Sequence, residues 1–159
     1  MRRDYLAPDP SAESSQGSIS VGKEPRILLA DDQEQVRQTV ASLLQNEFRV
    51  VGMAGNGADM LELAANRSAD VLVLDIEMPV LNGIEAARRA KLCELPGQIV
   101  FLTVYEDTDF VEAAMSVGAL GYVVKAHLAT DLIPAIWSAL EGRTYISPSI
   151  TSKPSSRTF

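Results

Sequence analysis

The stretch Val71-Leu72-Val73-Leu74-Asp75-Ile76-Glu77-Met78-Pro79-Val80-Leu81-Asn82-Gly83 constrains the fold of this chain more than any other. Four apolar residues without polar alternation describe a strand covered on both faces, the setting of a parallel sheet. The run stops on Asp75, and Pro79 and Gly83 mark the loop that follows. A carboxylate where such a strand meets its loop lies at the sheet's carboxyl edge, where open α/β folds bind ligands. Taken alone, Asp75 reads equally well as a turn cap, since aspartate is common in turns. The other strand ends decide between these.

Residues 1–24 are rich in Ser, Pro, Gly and charge, have no periodicity, and are expected to form a disordered leader. A first strand is expected over 26–30, stopping at Asp31-Asp32. Either acid is placed to cap a helix over 33–45, where Val36, Val40, Leu43 and Leu44 recur at helical spacing. A strand over 48–54, a turn at Asn56-Gly57 and a helix over 58–66 precede the opening stretch. A helix over 83–92 follows it, and Pro96-Gly97 breaks the chain before a strand over 98–103. Next come a helix over 107–117, closed by Gly118, and a short strand over 121–125 ending on Lys125. The last helix lies within 128–140. Its Pro134 is awkward except in a first turn, so the expected start is Thr130 or Asp131. Residues 143–159 are polar, contain Pro148 and Pro154, and are expected to be a flexible tail. Strands alternating with helices imply a (βα)5 doubly wound, five-stranded parallel sheet with helices on both faces.

Acidic residues outnumber basic ones by 21 to 14, for a net charge of −7. That balance argues against a free-standing nucleic-acid binder, which shows a basic patch. The single cysteine, Cys93, rules out an intramolecular disulfide and fits a reducing compartment. Cys93 and His127 are expected to be an inert helix residue and a solvated loop residue. No apolar run approaches the ~20 residues of a membrane helix. The residues after Arg2-Arg3 lack the apolar core of an export signal. A soluble, cytoplasmic protein is expected.

Four strands end on polar or reactive side chains: Asp31/Asp32, Asp75, Thr103 and Lys125. In a parallel sheet these ends share one edge. Carboxylates gathered there repel one another and call for a cation, and oxygen-only ligands favour Mg2+. A lysine and a hydroxyl beside the metal suit a phosphoryl group, whose transfer relies on positioning and charge neutralisation. One carboxylate is then a candidate nucleophile.

These features together resemble the receiver domain of two-component response regulators, especially those preceding a helix–turn–helix output module. The resemblance runs from about Pro25 to Gly142. It rests on Asp31-Asp32, Asp75 with Met78-Pro79 and Asn82-Gly83, Thr103, and Gly121-Tyr122-Val123-Val124-Lys125. It implies a receiver domain over 25–142 with the flavodoxin-like strand order 2-1-3-4-5. It also implies a signalling switch, not an enzyme beyond self-phosphorylation and autodephosphorylation. Asp75 would accept a phosphoryl group from a sensor histidine kinase. Asp32, Asp75 and the Glu77 backbone carbonyl would bind Mg2+, with Asp31 completing the acidic site. Lys125 would pair with phosphoryl oxygens, Thr103 would hydrogen-bond them, and Tyr122 would be the aromatic switch that follows Thr103. Glu77 and Tyr105 occupy positions that vary within the family and would govern how water reaches the acyl phosphate.

The same resemblance implies altered association, including a homodimer, through the surface of the fourth helix, fifth strand and fifth helix. That surface holds Tyr122, and Trp137 is read either as part of it or as core. Only 17 residues follow Gly142, below the ~40 a small domain needs. DNA contact would therefore belong to an output domain absent from this chain, unless the chain is a stand-alone receiver. Other classes fit less well. A Mg2+-dependent aspartyl-phosphate phosphatase of the haloacid dehalogenase kind would carry a second Asp where Glu77 stands. A flavin carrier would meet Asp31-Asp32, which repel a phosphate. A degenerate receiver that binds partners without phosphorylation is the remaining alternative, although every expected site residue is present.

Overall fold

Runs of Val, Leu and Ile stripped of polar neighbours become the central strands, because a sheet covered on both faces buries every side chain. In the computed structural model, which describes residues 24–151, these runs form β1 (Arg26–Ala30), β3 (Val71–Leu74), β4 (Gln98–Thr103) and β5 (Gly121–Val124). One edge strand, β2 (Arg49–Ala54), is more exposed and carries Arg49 and Met53. The helices between them are α1 (Glu34–Leu44), α2 (Gly57–Asn66), α3 (Gly83–Leu92), α4 (Thr108–Ser116) and α5 (Leu128–Leu140). With β6 (Tyr145–Ile146), the sheet is wholly parallel in the order β2-β1-β3-β4-β5-β6, the expected flavodoxin-like order with one minor strand added. The expected leader and residues 152–159 lie outside the described residues.

Alternation along each strand divides the core into two layers. Leu28, Ala30, Leu72, Leu74, Ile99, Phe101, Tyr122 and Val124 pack with residues of α2, α3 and α4. Ile27, Leu29, Val71, Val73, Val100, Leu102 and Val123 pack with residues of α1 and α5. Complete burial of β3 follows from its central place between β1 and β4.

Three expectations need correction. Residues 145–151 are not a tail: Tyr145–Ile146 forms β6, parallel to β5, and Pro148–Thr151 forms α6. Two strand residues are too few for periodicity to register, but β5 otherwise has a bare edge, which Tyr145 and Ile146 cover. Second, α5 begins at Leu128, after a 3-10 turn over Lys125–His127, with Pro134 inside it. Burying Leu132, Ala135, Ile136 and Ala139 on one continuous stripe outweighs the ~3 kcal/mol cost of an interior proline. Third, neither Asp31 nor Asp32 caps α1. Its N-cap is Gln33, without a side-chain cap bond, and Asp31 Oδ1 instead accepts the Gln33 N–H at 2.9 Å.

Candidate functional site

Register explains why distant residues meet. Ala30 of β1 pairs with Leu74 of β3, so the next residues, Asp31 and Asp75, emerge side by side. The ladder runs one step further, with Asp31 N–H donating to Ala54 O at 3.0 Å and Asp75 N–H to Ala30 O at 2.9 Å. Thr103 of β4 pairs with Val124 of β5, which brings Lys125 level with the same edge. Asp31 and Asp75 are buried and Asp32 is exposed, with carboxylate oxygens of all three within 4.8 Å of one another.

Lys125 Nζ stands 2.7 Å from Asp31 Oδ2 and 3.2 Å from Asp75 Oδ2. Burial works against the ammonium, yet its close contact with Asp31 and the charges of Asp75 and Asp31 outweigh it and raise the Lys125 pKa. Burial likewise raises the Asp75 carboxyl above its ordinary value; Lys125 opposes this and Asp31 adds to it. Three carboxylates thus face one ammonium. Asp31 Oδ2, although buried and beside Lys125, accepts no hydrogen bond of good geometry. An all-oxygen donor set with surplus negative charge suits a hard divalent cation such as Mg2+.

The loop after β3 is shaped to present Asp75. Gly83 donates its N–H to Ile76 O at 2.7 Å, and a Cβ there would overlap the Asp75 carbonyl oxygen. Asn82 caps α3, its Oδ1 accepting the Glu85 N–H at 2.8 Å. Between them and Pro79, the exposed Val80 adopts φ +69°, a left-handed conformation costly for a β-branched residue. Strain of this kind gathers at functional loops.

A second cluster centres on Tyr105. Its N–H donates to Thr103 Oγ1 at 3.3 Å, its hydroxyl donates to Glu77 Oε1, and its carbonyl accepts from Tyr122 Oη at 2.8 Å. Its ring stacks on Phe110 with centroids 4.1 Å apart. The bond to Glu77 and burial raise the phenol's pKa. Tyr122 lies wholly inside the core. The predicted residues therefore form two groups: Asp31, Asp32, Asp75 and Lys125 meet directly, whereas Thr103, Glu77 and Tyr122 meet through Tyr105.

Trp137 turns away from both groups. Its ring packs on Phe48 at 5.0 Å and its Nε1 donates to Glu47 Oε1 at 2.9 Å, which puts it on the α1 side of α5. Of its two readings, neither a place beside Tyr122 nor full burial holds, since Trp137 is half-exposed on that side. The expectation that the surface holds Tyr122 is corrected too, because packing between β4 and α4 buries its ring completely. Cys93 is exposed at the end of α3, and His127 is exposed in the 3-10 turn.

The family model of the response regulator receiver domain matches residues 27–136. The chain belongs to this family. It is similar to the transcriptional regulatory protein PdtaR of Mycobacterium tuberculosis, 38% identical over 112 residues, covering 70% of this chain and 54% of that protein. Similarity to the uncharacterized transcriptional regulatory protein YxjL of Bacillus subtilis is 36% over 137 residues, 84% of this chain and 62% of that protein. Among solved structures it resembles a LuxR-family two-component response regulator from Aurantimonas, with a TM-score of 0.77 and 30% identity over 81% of this chain and 94% of that one. The signal receiver domain of the response regulator NarL from Mycobacterium tuberculosis matches with a TM-score of 0.73 and 29% identity, over 76% of this chain and 99% of that one. The receiver chain spans between half and two thirds of the length of its curated relatives. Receiver domains are signalling domains that work with histidine kinases in two-component systems. No helix among the described residues is long and apolar enough to cross a membrane.

Sequence reasoning missed a polar pair next to this edge. Asp131, buried in the first turn of α5, accepts hydrogen bonds from Tyr145 and Ser147. One signal was available: Asp131 lies three residues after Leu128 and four before Ala135, on the stripe that α5 buries.

Proposed function

We propose that this receiver domain is a phosphorylation-dependent switch in which Asp75 is the acceptor. The observation that carries the reading is the placement of the buried Asp75 carboxylate beside Lys125 Nζ at 3.2 Å, in a cluster with Asp31 and Asp32. A carboxylate oxygen of Asp75 attacks the phosphorus of a kinase phosphohistidine. The P–O bond forms as the P–N bond breaks, and the imidazole nitrogen keeps the electron pair and takes up a proton. Lys125 holds a phosphoryl oxygen by charge and hydrogen bond. Asp31, Asp32, Asp75 and the Glu77 carbonyl would hold Mg2+, which when bound supplies charge neutralisation for the incoming phosphoryl group.

The acyl phosphate adds a charge of about −1.5 to −2 at pH 7. Thr103, now engaged by the Tyr105 N–H, turns its hydroxyl to the new oxygens. Tyr105 moves with it, and the bond from Tyr122 Oη to the Tyr105 carbonyl carries the change to the α4-β5-α5 surface. Association there, including with a second copy of the chain, is the output. The relatives' names support a wider role in transcription, and the chain's net charge of −7 favours DNA contact through a separate output module.

Incubation of the full chain with Mg2+ and a small-molecule phosphodonor tests the acceptor. The wild type should gain one hydroxylamine-labile phosphoryl group and Asp75→Ala none. A labelled Asp75→Ala, or an unlabelled wild type, would overturn the reading.

A further inference from the structure

A hydrogen-bonded chain joins the end of β5 to the segment that follows α5. Ser147 is completely buried. Its Oγ accepts the Val124 N–H at 3.0 Å and donates to Asp131 Oδ2 at 2.8 Å. Its own N–H donates to Tyr122 O at 2.8 Å. The other carboxylate oxygen, Oδ1, accepts Tyr145 Oη at 3.2 Å. β6 ends at Ile146, so its backbone does not reach Val124, and the Ser147 hydroxyl stands in for the missing ladder acceptor. Asp131 holds that hydroxyl in the one orientation that leaves a lone pair for Val124, and an ionised partner makes the chain stronger than a neutral one. The first turn of α5 is a favourable place for that negative charge.

Val124 immediately precedes Lys125, whose ammonium lies between Asp31 and Asp75. We propose that Ser147 and Asp131 are positioning residues for Lys125, and that through them the segment after Ser147 is coupled to the phosphoryl site. The inference rests on the acceptor reading of Asp75 and Lys125. The backbone that launches Lys125 is fixed at its last strand residue by a side chain from outside the (βα)5 unit. Coupling of this kind is reciprocal: whatever displaces Ser147 loosens Lys125, and whatever draws Lys125 toward a phosphoryl group tightens the hold on Ser147.

The test uses the full chain and measures Mg2+ affinity alone, then beryllofluoride affinity in the presence of Mg2+. Ser147→Ala should weaken beryllofluoride binding by about threefold to tenfold, the value of one hydrogen bond, and leave Mg2+ binding unchanged. Ser147→Thr, which keeps the hydroxyl, should restore it. Tyr145→Phe removes a bond to Asp131 that does not touch β5 and should behave as wild type. Unaltered beryllofluoride binding in Ser147→Ala, or equal losses of both affinities, would overturn the positioning role. The wild type supplies a measurement that no folding defect can obscure. Beryllofluoride should slow amide hydrogen exchange at Val124 and Ser147, and unchanged exchange in a protein that binds it would refute the coupling. A wild type that binds no beryllofluoride overturns the acceptor reading, and the positioning role with it.

Discussion

Two buried carboxylates, Asp75 and Asp131, stand on opposite sides of Lys125 in the chain and meet opposite surroundings. Asp131 receives hydroxyl donors from Tyr145 and Ser147, and Thr130 Oγ1 lies 3.3 Å from Oδ1. Asp75 has one ammonium, shared with Asp31, and that second carboxylate raises its pKa in company with burial. Neutral donors can satisfy a buried charge without leaving anything for a ligand. A site left with surplus negative charge is incomplete until a cation or a covalent change completes it. Burial alone therefore does not mark a functional acid; an unbalanced set of partners does.

The largest effect that separates the two should come from removing Asp131. Asp131→Ala leaves the Ser147 and Tyr145 hydroxyls without their carboxylate acceptor, with an expected loss of about 3 kcal/mol of stability. Urea unfolding at neutral pH measures it. A loss within the range of surface substitutions would mean that the hydroxyl network contributes nothing, and the contrast would collapse.

Asp75→Asn should change stability the other way. Without Mg2+, the isostere removes a desolvated charge that faces Asp31, for an expected gain of about 1 kcal/mol at pH 7. The sign of the pH dependence follows from the raised pKa. The folded protein holds the Asp75 proton more readily than the unfolded chain does. The cost of the charge is thus fully present above the folded pKa and is relieved as pH falls through it toward the ordinary 3.8. The advantage of the Asn variant should shrink over that window, and Mg2+ should stabilise the wild type but not the variant. An Asn variant less stable than wild type at pH 7 would show that Lys125 already balances the site.

The sheet and the acidic edge were legible in the sequence because both depend on strong local signals. Uninterrupted apolar runs define β1, β3 and β4, and each stops on the residue that reaches the edge. Asn82 and Gly83 were visible as loop residues, although the reason only glycine fits at position 83 is a long-range contact with the Asp75 carbonyl. The missed features are those that depend on tertiary partners. β6 exists because β5 has an edge to cover, α5 runs through Pro134 because its apolar stripe is continuous, and Ser147 is buried because β5 and Asp131 supply its partners. Trp137 was ambiguous for the same reason, since nothing in its neighbourhood along the chain names Phe48.

The smallest expected effect concerns the Tyr105 cluster. Tyr105 donates its hydroxyl to Glu77, two residues beyond Asp75, and its ring is braced by Phe110. On the acceptor reading proposed above, a bridge between these loops would govern how water reaches an acyl phosphate on Asp75. Tyr105→Phe keeps the stacked ring and deletes the bridge, while Glu77→Gln keeps an acceptor without its charge. We expect Tyr105→Phe to shorten the phosphoryl lifetime by about threefold to tenfold, as loss of one hydrogen bond would, and Glu77→Gln to shorten it less. Dephosphorylation followed after removal of the phosphodonor measures both. Neither variant touches Asp131 or Ser147, so their effect should be purely kinetic, with unfolding free energies unchanged. Equal lifetimes in all three proteins would confine control of the phosphoryl group to the carboxylates and Lys125, and would leave Tyr105 only its link between Thr103 and Tyr122.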